Sequence, residues 1–500
     1  MSEKTEIKKT LGLTGVTMNA MALIAPGAFL WLTFQMQASQ VNTSGGTTGM
    51  DMFFGLIVSL VIAFLTAISY SKLSEVYPEA GSGSSYYFAE HAFMNETSKL
   101  SWFSRFAKYI VGWFSHIYYW VYPGVMVAMM ATLITYIFGQ FGITVPVIGQ
   151  ILIAVVFAGV TGFVANRGIN GSTLSSIVIN VIQIVTLVFV SILAIIYRYT
   201  NPQHVEFVHK SFSSVVMPHS LSNVMFQATI SILLLVGFES ATALSGEAKS
   251  PKHVSRGVIL SLVIQGIVFY LFEYGAANLW LNTSYKVGDK VGLAAAASST
   301  APIGDMVRTL GDTLLGGNGF VLMIIVAVSV AIAVFGSTLA CMNTGVRITY
   351  AMAKDKEVPS VLGTLDPKYA TPHTAVLIIT IVSALIGAIG AINVTNLTAV
   401  TLVSNIGTFT LYGMTNIISL VAFKRSKKRN PITHIIVPML GFLANIGMLA
   451  AVLYLGILGG GSTKTAAIAA ILATIAWLFI GIFYLVLNSK KQNKSIIVKG

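Results

Sequence analysis

Ile230-Ser231-Ile232-Leu233-Leu234-Leu235-Val236-Gly237-Phe238-Glu239-Ser240 sets a glycine and a carboxyl group inside an otherwise apolar run. The surrounding segment, 221–245, is long enough to cross a bilayer, which takes about 20 apolar residues. In lipid, irregular backbone and ionisable groups are tolerated only inside protein or against a water-filled cavity. The Gly-Phe-Glu interruption therefore marks an interior position. Toward the N-terminus, Ile24-Ala25-Pro26-Gly27-Ala28-Phe29 interrupts segment 13–34 at a similar depth. The two interruptions lie five apolar segments apart. That separation is what two inverted repeats produce, with half-helix ends meeting near the midplane around a substrate. Taken singly, Pro26 reads as a kink and Gly237 as a close-packing residue. Taken together, with Glu239 beside one of them, the site reading is preferred.

The rest of the chain has the same character. Its 500 residues are 55% hydrophobic and 9% charged, against roughly 25% charged in soluble domains. An ordinary soluble enzyme is excluded, as are collagen-like and disordered chains, because glycine is dispersed and no long polar tract occurs. The single cysteine, Cys341, rules out an intrachain disulfide and a cysteine metal cluster. Twelve apolar segments are predicted, at 13–34, 53–76, 106–138, 145–164, 174–197, 221–245, 258–281, 320–353, 375–391, 397–423, 435–458 and 466–487. The expected organisation is a tail over 1–12, a core of ten spans over 13–423, a basic loop over 424–434, two further spans over 435–487 and a tail over 488–500. No cleavable signal peptide is expected, since the first apolar stretch continues to spanning length.

The net charge of +13 is explained by topology. With both termini inside, 24 of the 30 Lys and Arg residues fall on the cytoplasmic side, the bias of the positive-inside rule. No basic run is interleaved with aromatics, so nucleic acid is not expected as a partner. The expected location is the cell (inner) membrane, multi-pass, with the lipid bilayer as surroundings.

The breaks have a definite chemistry. A helix restarting after Pro26 presents free amides at Gly27, Ala28 and Phe29, where a half-helix N-terminus favours a carboxylate. Carbonyls near Leu23 and Ile24, and those from Leu233 to Val236, have lost helical partners and accept from an ammonium. A zwitterion with adjacent charges fits that pair of ends.

Several separated motifs carry a family resemblance. They are Gly237-Phe238-Glu239 with Ser245-Gly246-Glu247-Ala248-Lys249-Ser250-Pro251, and Asn343-Thr344-Gly345-Val346-Arg347 followed by Tyr350-Ala351-Met352-Ala353-Lys354-Asp355 and Val358-Pro359. Thr371-Pro372, Ser404-Asn405-Ile406-Gly407-Thr408, Tyr70-Ser71-Lys72-Leu73 and Tyr77-Pro78-Glu79-Ala80-Gly81-Ser82-Gly83-Ser84-Ser85-Tyr86 add to them. In this order they resemble the amino acid, polyamine and organocation (APC) transporter superfamily, in particular bacterial amino acid permeases. The resemblance implies an all-α polytopic membrane protein of about twelve transmembrane helices. It implies a LeuT-like 5+5 inverted repeat with helices 1 and 6 broken, working by alternating access.

It also implies a substrate site. Ile24, Ala25, Pro26, Gly27 and Ala28 would meet Gly237 and Phe238, and the family's pocket positions on spans three, six and eight fall at Tyr122, Pro123, Leu233, Val236 and Cys341. Two departures stand out. Many relatives have Gly-x-Gly where Pro26 here removes one amide donor. Proton-coupled relatives often carry a lysine where Gln183 stands, and a glutamine cannot be protonated.

Glu239 has two readings of equal standing: a gating or proton-carrying group, and a structural carboxyl bonded to freed amides or hydroxyls. Glu273 is a pathway candidate for which a buried hydrogen-bonded role is favoured. His116 is taken as an interior histidine, and Glu247 as a group at the cytoplasmic end paired with basic neighbours. Ser337 and Thr338 are weak sodium candidates, with capping of their own helix preferred; no other metal ligand and no cofactor are expected.

The functional expectation is a secondary transporter of small, neutral amino acids, by antiport or by symport with H+ or Na+, as a monomer or homodimer. Alternatives are a polyamine or amine permease, an ion transporter and a transporter-like nutrient sensor. No His-Glu-x-x-His, Gly-x-Ser-x-Gly or phosphate-loop pattern occurs, so an enzyme is not expected.

Overall fold

The computed structural model describes residues 10–24, 30–78, 84–94, 101–168, 173–202, 216–245, 247–280, 284–424 and 429–491. Eleven helical stretches among them are long and apolar enough to cross a membrane. The first predicted span is described in two pieces, α1 (Leu13–Ile24) and α2 (Leu30–Ser39), and neither alone enters that count. At 1.5 Å per residue each piece spans less than about 20 Å, short of a hydrocarbon core about 30 Å thick. The other spans are α3 (Met52–Val76), α5 (Ser101–Gln140), α6 (Val147–Asn166), α7 (Thr173–Thr200), α8 (Leu221–Ser231) with its continuation, and α9 (Pro251–Trp280). They are followed by α12 (Gly319–Lys354), α13 (His373–Gly390), α14 (Val394–Ala422), α15 (Val437–Leu458) and α16 (Gly461–Lys491). The result is an all-α polytopic membrane protein.

Burial sorts these helices into centre and rim. The sixth span and α14 are the most enclosed, with α5 next, whereas α16 points Leu472, Phe479 and Phe483 outward, as a helix facing lipid does. Small residues set the closest crossings in the interior. A Cβ on Gly387 of α13 would lie 2.3 Å from Val127 Cγ1 of α5, so glycine is what lets those two backbones meet. Polar pairs stitch the centre. Ser59 bonds Ser231 at 2.7 Å, Ser69 donates to Asn416 at 2.7 Å, and Asn416 Nδ2 reaches Thr66 at 3.1 Å. In hydrocarbon each such bond replaces an unsatisfied group.

Two loops carry structure of their own. Between α3 and α5 a short helix, α4 (Ser85–Met94), packs on α5 and α14. Between α9 and α12 the chain makes a two-stranded antiparallel hairpin, β1 (Lys286–Val287) with β2 (Lys290–Val291). Helices α10 (Gly292–Ser298) and α11 (Pro302–Leu314) follow it.

α5 begins five residues before the predicted apolar stretch and so takes Arg105 into the helix, ahead of Lys108 in its first turns. Lys108 is compensated there. Its Nζ lies 2.6 Å from Asp355 and 3.0 Å from Glu90, and sits over the Tyr86 ring. Glu357, just past the end of α12, joins this group: burial pushes its carboxyl up to about 7, Lys108 opposes the shift and Asp355 adds to it.

A carboxyl raised from its ordinary 4.5 contributes stability that is complete below 4.5 and lost as pH rises through about 7. Glu357→Gln removes that dependence. The variant is expected to melt several degrees above wild type at pH 8 and close to it at pH 5, read by thermal denaturation in detergent; parallel pH profiles would contradict the assignment.

Candidate functional site

The end of α1 meets the interruption of the sixth span. The sixth span leaves α-helical geometry at Ser231, makes a 3-10 turn over Ile232–Leu234, and restarts as a 3-10 helix over Phe238–Leu244. Between them Gly237 has φ +125°, a conformation that L side chains rarely adopt. A Cβ there would fall 2.7 Å from Ile24 Cγ1, 2.8 Å from Leu23 Cδ2 and 3.1 Å from the Ile24 amide nitrogen. The last described turn of α1 therefore presses directly on the break in the sixth span. Ala25, Pro26, Gly27 and Ala28 lie outside the described residues.

Carbonyls released by the breaks find side-chain donors. Asn405 Nδ2 of α14 donates to the Thr229 carbonyl at 2.7 Å, and Ser337 of α12 donates through Oγ to the Leu23 carbonyl. Thr338 donates to Val334 of its own helix at 2.6 Å. Of the sodium candidate pair, Thr338 thus bonds within its own helix, whereas Ser337 reaches across to α1 rather than capping its own helix.

Glu239 is the centre of the site. It is fully buried, and its side chain folds back over its own break to accept from the Gly237 amide at 3.0 Å. The Tyr118 hydroxyl donates to Oε1 at 2.8 Å, the Tyr412 hydroxyl to Oε2 at 2.8 Å, and the Tyr119 hydroxyl lies 3.5 Å from Oε1. Each of these partners can donate to the carboxyl group, and only the Gly237 amide is restricted to donating. The contacts tie the sixth span to α5 and α14. Phe238 packs against Tyr412 and Tyr70, with ring centroids 5.3 and 6.0 Å away.

Below the breaks, on the face where the chain begins, lies a chamber of ≈ 200 Å³. Its walls come from α1, α7, the 3-10 helix of the sixth span and α12, including Leu23, Asn180, Ser240, Asn343, Glu247 and Arg347. Asn180 donates to the Met18 carbonyl. The opposite side of the breaks is packed shut: Trp31, Phe34, Gln37 and Phe272 are buried, Trp31 edge-on to Tyr136 at 5.6 Å and Phe34 stacked on Phe272 at 6.2 Å. A larger cavity of ≈ 830 Å³ lies among the loop residues 284–309 and the ends of α5 and α7. None of the break residues lines it. The carboxyl group among its lining residues, Asp305, is half-buried and already held by Tyr136, Tyr285 and Ser299 at 2.9, 2.8 and 2.6 Å.

The residues singled out in the sequence fall into three groups. Ile24, Leu233, Val236, Gly237, Phe238 and Glu239 gather at the junction, and Cys341 and Tyr122 are buried within electrostatic reach of Glu239. Pro123 lies inside α5, and Gln183 is buried on α7 one turn beyond Asn180, the residue of that face that lines the chamber. Glu273 sits apart, on α9, bonded to Gln37 of α2. His116 stacks on Trp120 at 4.6 Å, as an interior histidine. Glu247 shares the chamber wall with Arg347. Sequence reasoning missed Tyr118, Tyr412 and Asn180. A buried carboxylate signals that donors exist somewhere, but not which of 19 tyrosines supply them.

The sequence is also similar to known proteins. The family model described as amino acid permease matches residues 9–480. The chain is 22% identical to the methylthioribose transporter of Bacillus subtilis over 66% of each protein. It is 22% identical to that organism's branched-chain amino acid permease BcaP, over 77% of this chain and 75% of the relative. It is also 23% identical to the arginine/ornithine antiporter ArcD2 of Lactococcus lactis, over 75% of this chain and 72% of the relative. With the match running through both broken spans and the helices that clasp Glu239, the chain belongs to the amino acid permease family.

Proposed function

We propose that the protein is a secondary active transporter of small neutral amino acids, alternating access around the junction of α1 with the broken sixth span. The observation that carries this reading is the clasp on Glu239. A fully buried carboxylate held by hydroxyls from two other helices sits where both discontinuous helices meet, directly above a chamber that reaches one face. Opening toward the other face requires the packed layer of Trp31, Phe34 and Phe272 to part. In this reading the chamber face is cytoplasmic, both termini lie inside, and the structure is an inward-directed conformation.

The amino acid backbone is bound by the ends of the broken helices: the carboxylate by amides of Gly27 and Ala28, the ammonium by carbonyls near Ile24 and Val236. Tyr122, Cys341 and Leu233 form the side-chain wall. That wall supports a neutral substrate, because it carries no charge of its own and the nearby Glu239 carboxyl has its oxygens occupied by hydrogen-bond partners. The chamber of ≈ 200 Å³ is below the roughly 300–1,000 Å³ usual for drug-sized ligands, which suits a small solute. Relatives named for a thioether sugar, branched-chain amino acids and arginine leave the side-chain class to this wall.

The test is uptake by proteoliposomes of a labelled panel. Alanine, serine, valine and leucine are expected to enter saturably and to compete with one another, while lysine, glutamate and putrescine are expected to compete at least about tenfold less well, a difference of about 1.4 kcal/mol. Preferential uptake of putrescine or lysine would replace this reading with an amine permease.

A further inference from the structure

The chain holds a second fully buried carboxyl group, and its surroundings are opposite in kind to those of Glu239. Glu273 of α9 has a single hydrogen-bond partner, Gln37 Nε2 of α2, at 2.9 Å from Oε1. Its Oε2 is buried without a partner, as are Gln37 Oε1 and Gln227 Oε1. Gln227 of α8 continues the network, donating through Nε2 to the Gln37 carbonyl at 2.9 Å and to Thr48 Oγ1 at 2.7 Å. The atoms left over are all oxygens. Such a set lacks one hydrogen, and a neutral acid supplies it, accepting from the Gln37 amide on Oε1 and offering a donor on Oε2.

No counter-charge takes that place. Span α3 carries Asp51 before its start and Lys72 and Glu75 near its end, α7 carries Arg198, the sixth span carries Glu239, and α11 carries Asp305, Arg308 and Asp312; α1, α2 and α10 carry no charged residue. Among the described residues none of these acts on Glu273, whose only interacting side chain is Gln37. A lone ionised carboxylate in the membrane interior costs several kcal/mol, so an unpaired one is either neutral or functional.

We propose that Glu273 is the coupling-proton site of the transporter, carrying the proton on Oε2 within the network of Gln37 and Gln227. The proposal rests on the transport reading above and names its driving ion. The position suits the task. Gln37 belongs to the half-helix beyond the break of the first span, Gln227 to the sixth span above its break, and Glu273 to α9, so gain or loss of one proton changes a bond between the outer half of span 1 and its neighbour. In this conformation the carboxyl is fully buried, as a carrier must be between loading and release. Gain of the proton forms the Oε2–H bond from hydronium on one side, and release returns it to water on the other.

The experiment uses the full-length protein in liposomes loaded with a pH-sensitive dye. Three arms are run with the best substrate of the panel: counterflow at equal pH, uptake driven by an acid exterior, and uptake driven by a sodium gradient at equal pH. Wild type is expected to accumulate substrate under the proton gradient with acidification of the lumen. Glu273→Gln is expected to keep counterflow within about twofold while losing at least about tenfold of proton-driven accumulation and of dye response.

Retention of both by Glu273→Gln overturns the proposal, as does wild-type accumulation that follows sodium, or counterflow without any proton flux. Absence of wild-type counterflow for every substrate instead overturns the transport reading itself. Should Glu273→Gln fail to fold, Gln37→Leu takes its place, removing the one donor to the carboxyl. A shift of the pH midpoint of accumulation by about one unit or more is then expected, and an unshifted midpoint overturns the proposal.

Discussion

Gly237→Ala is expected to abolish transport, with uptake reduced at least about a hundredfold and a lower melting temperature. Two separate costs fall on the same atom. At φ +125° an L residue is strained, typically by about 1–3 kcal/mol. The added methyl also lies within 2.7 and 2.8 Å of Ile24 and Leu23 side-chain carbons and 3.1 Å from the Ile24 amide nitrogen. Side chains can rotate away, but the amide belongs to the last turn of α1, so relief requires the two half-helices to separate, and overpacking of this kind costs a further 1–3 kcal/mol or so. The substrate would bind at the seam being forced open. Saturable uptake and a melting temperature equal to wild type would show that the two breaks do not bear on each other as described.

Removal of the Glu239 side chain is expected to be the second severe change. In Glu239→Ala the Tyr118 and Tyr412 hydroxyls and the Gly237 amide lose the acceptor that all three share. Each buried donor left without a partner costs about 1–3 kcal/mol. Glu239→Gln keeps one oxygen but turns an amide NH2 toward donors, so it is expected to fall between alanine and wild type. Tyr118→Phe and Tyr412→Phe each delete one of the bonds and are expected to be the mildest, on the order of 1 kcal/mol. The order in melting temperature is therefore Ala, Gln, then the two Phe variants nearest wild type, with uptake in proteoliposomes following it. If Tyr412→Phe were as damaging as Glu239→Ala, the hydroxyl would have a role beyond holding the carboxylate.

The sequence placed Glu239, beside the Gly237 interruption, ahead of Glu273, for which a buried hydrogen-bonded role was favoured, but it gave no surroundings for either. Both are single carboxyl groups in apolar segments, followed respectively by Ser240 and Tyr274, and each had a structural reading beside a functional one. Folding separates them. One is surrounded by donors from α5 and α14, the other faces a single amide among unfilled acceptors. The distinction is made by residues 120 to 236 positions away in the chain, beyond the reach of any local pattern.

What the amino-acid order determined by itself was the solvent and the secondary structure. Runs of about 20 apolar residues admit only helices in a bilayer, because every backbone amide and carbonyl must be satisfied within its own segment. Gly237 marks where that rule is relaxed, so the break in the sixth span was legible as a position. The tertiary structure alone decided that Gly237 rests on Ile24, that Tyr118 and Tyr412 close on Glu239, that Asn180 rather than Gln183 lines the chamber, and that Gln37 meets Glu273. The physical reason is common to all four. Apolar packing fixes which helix faces meet, and a buried polar group then bonds to whatever that packing brings within about 3 Å, a relation between distant segments that no single segment contains.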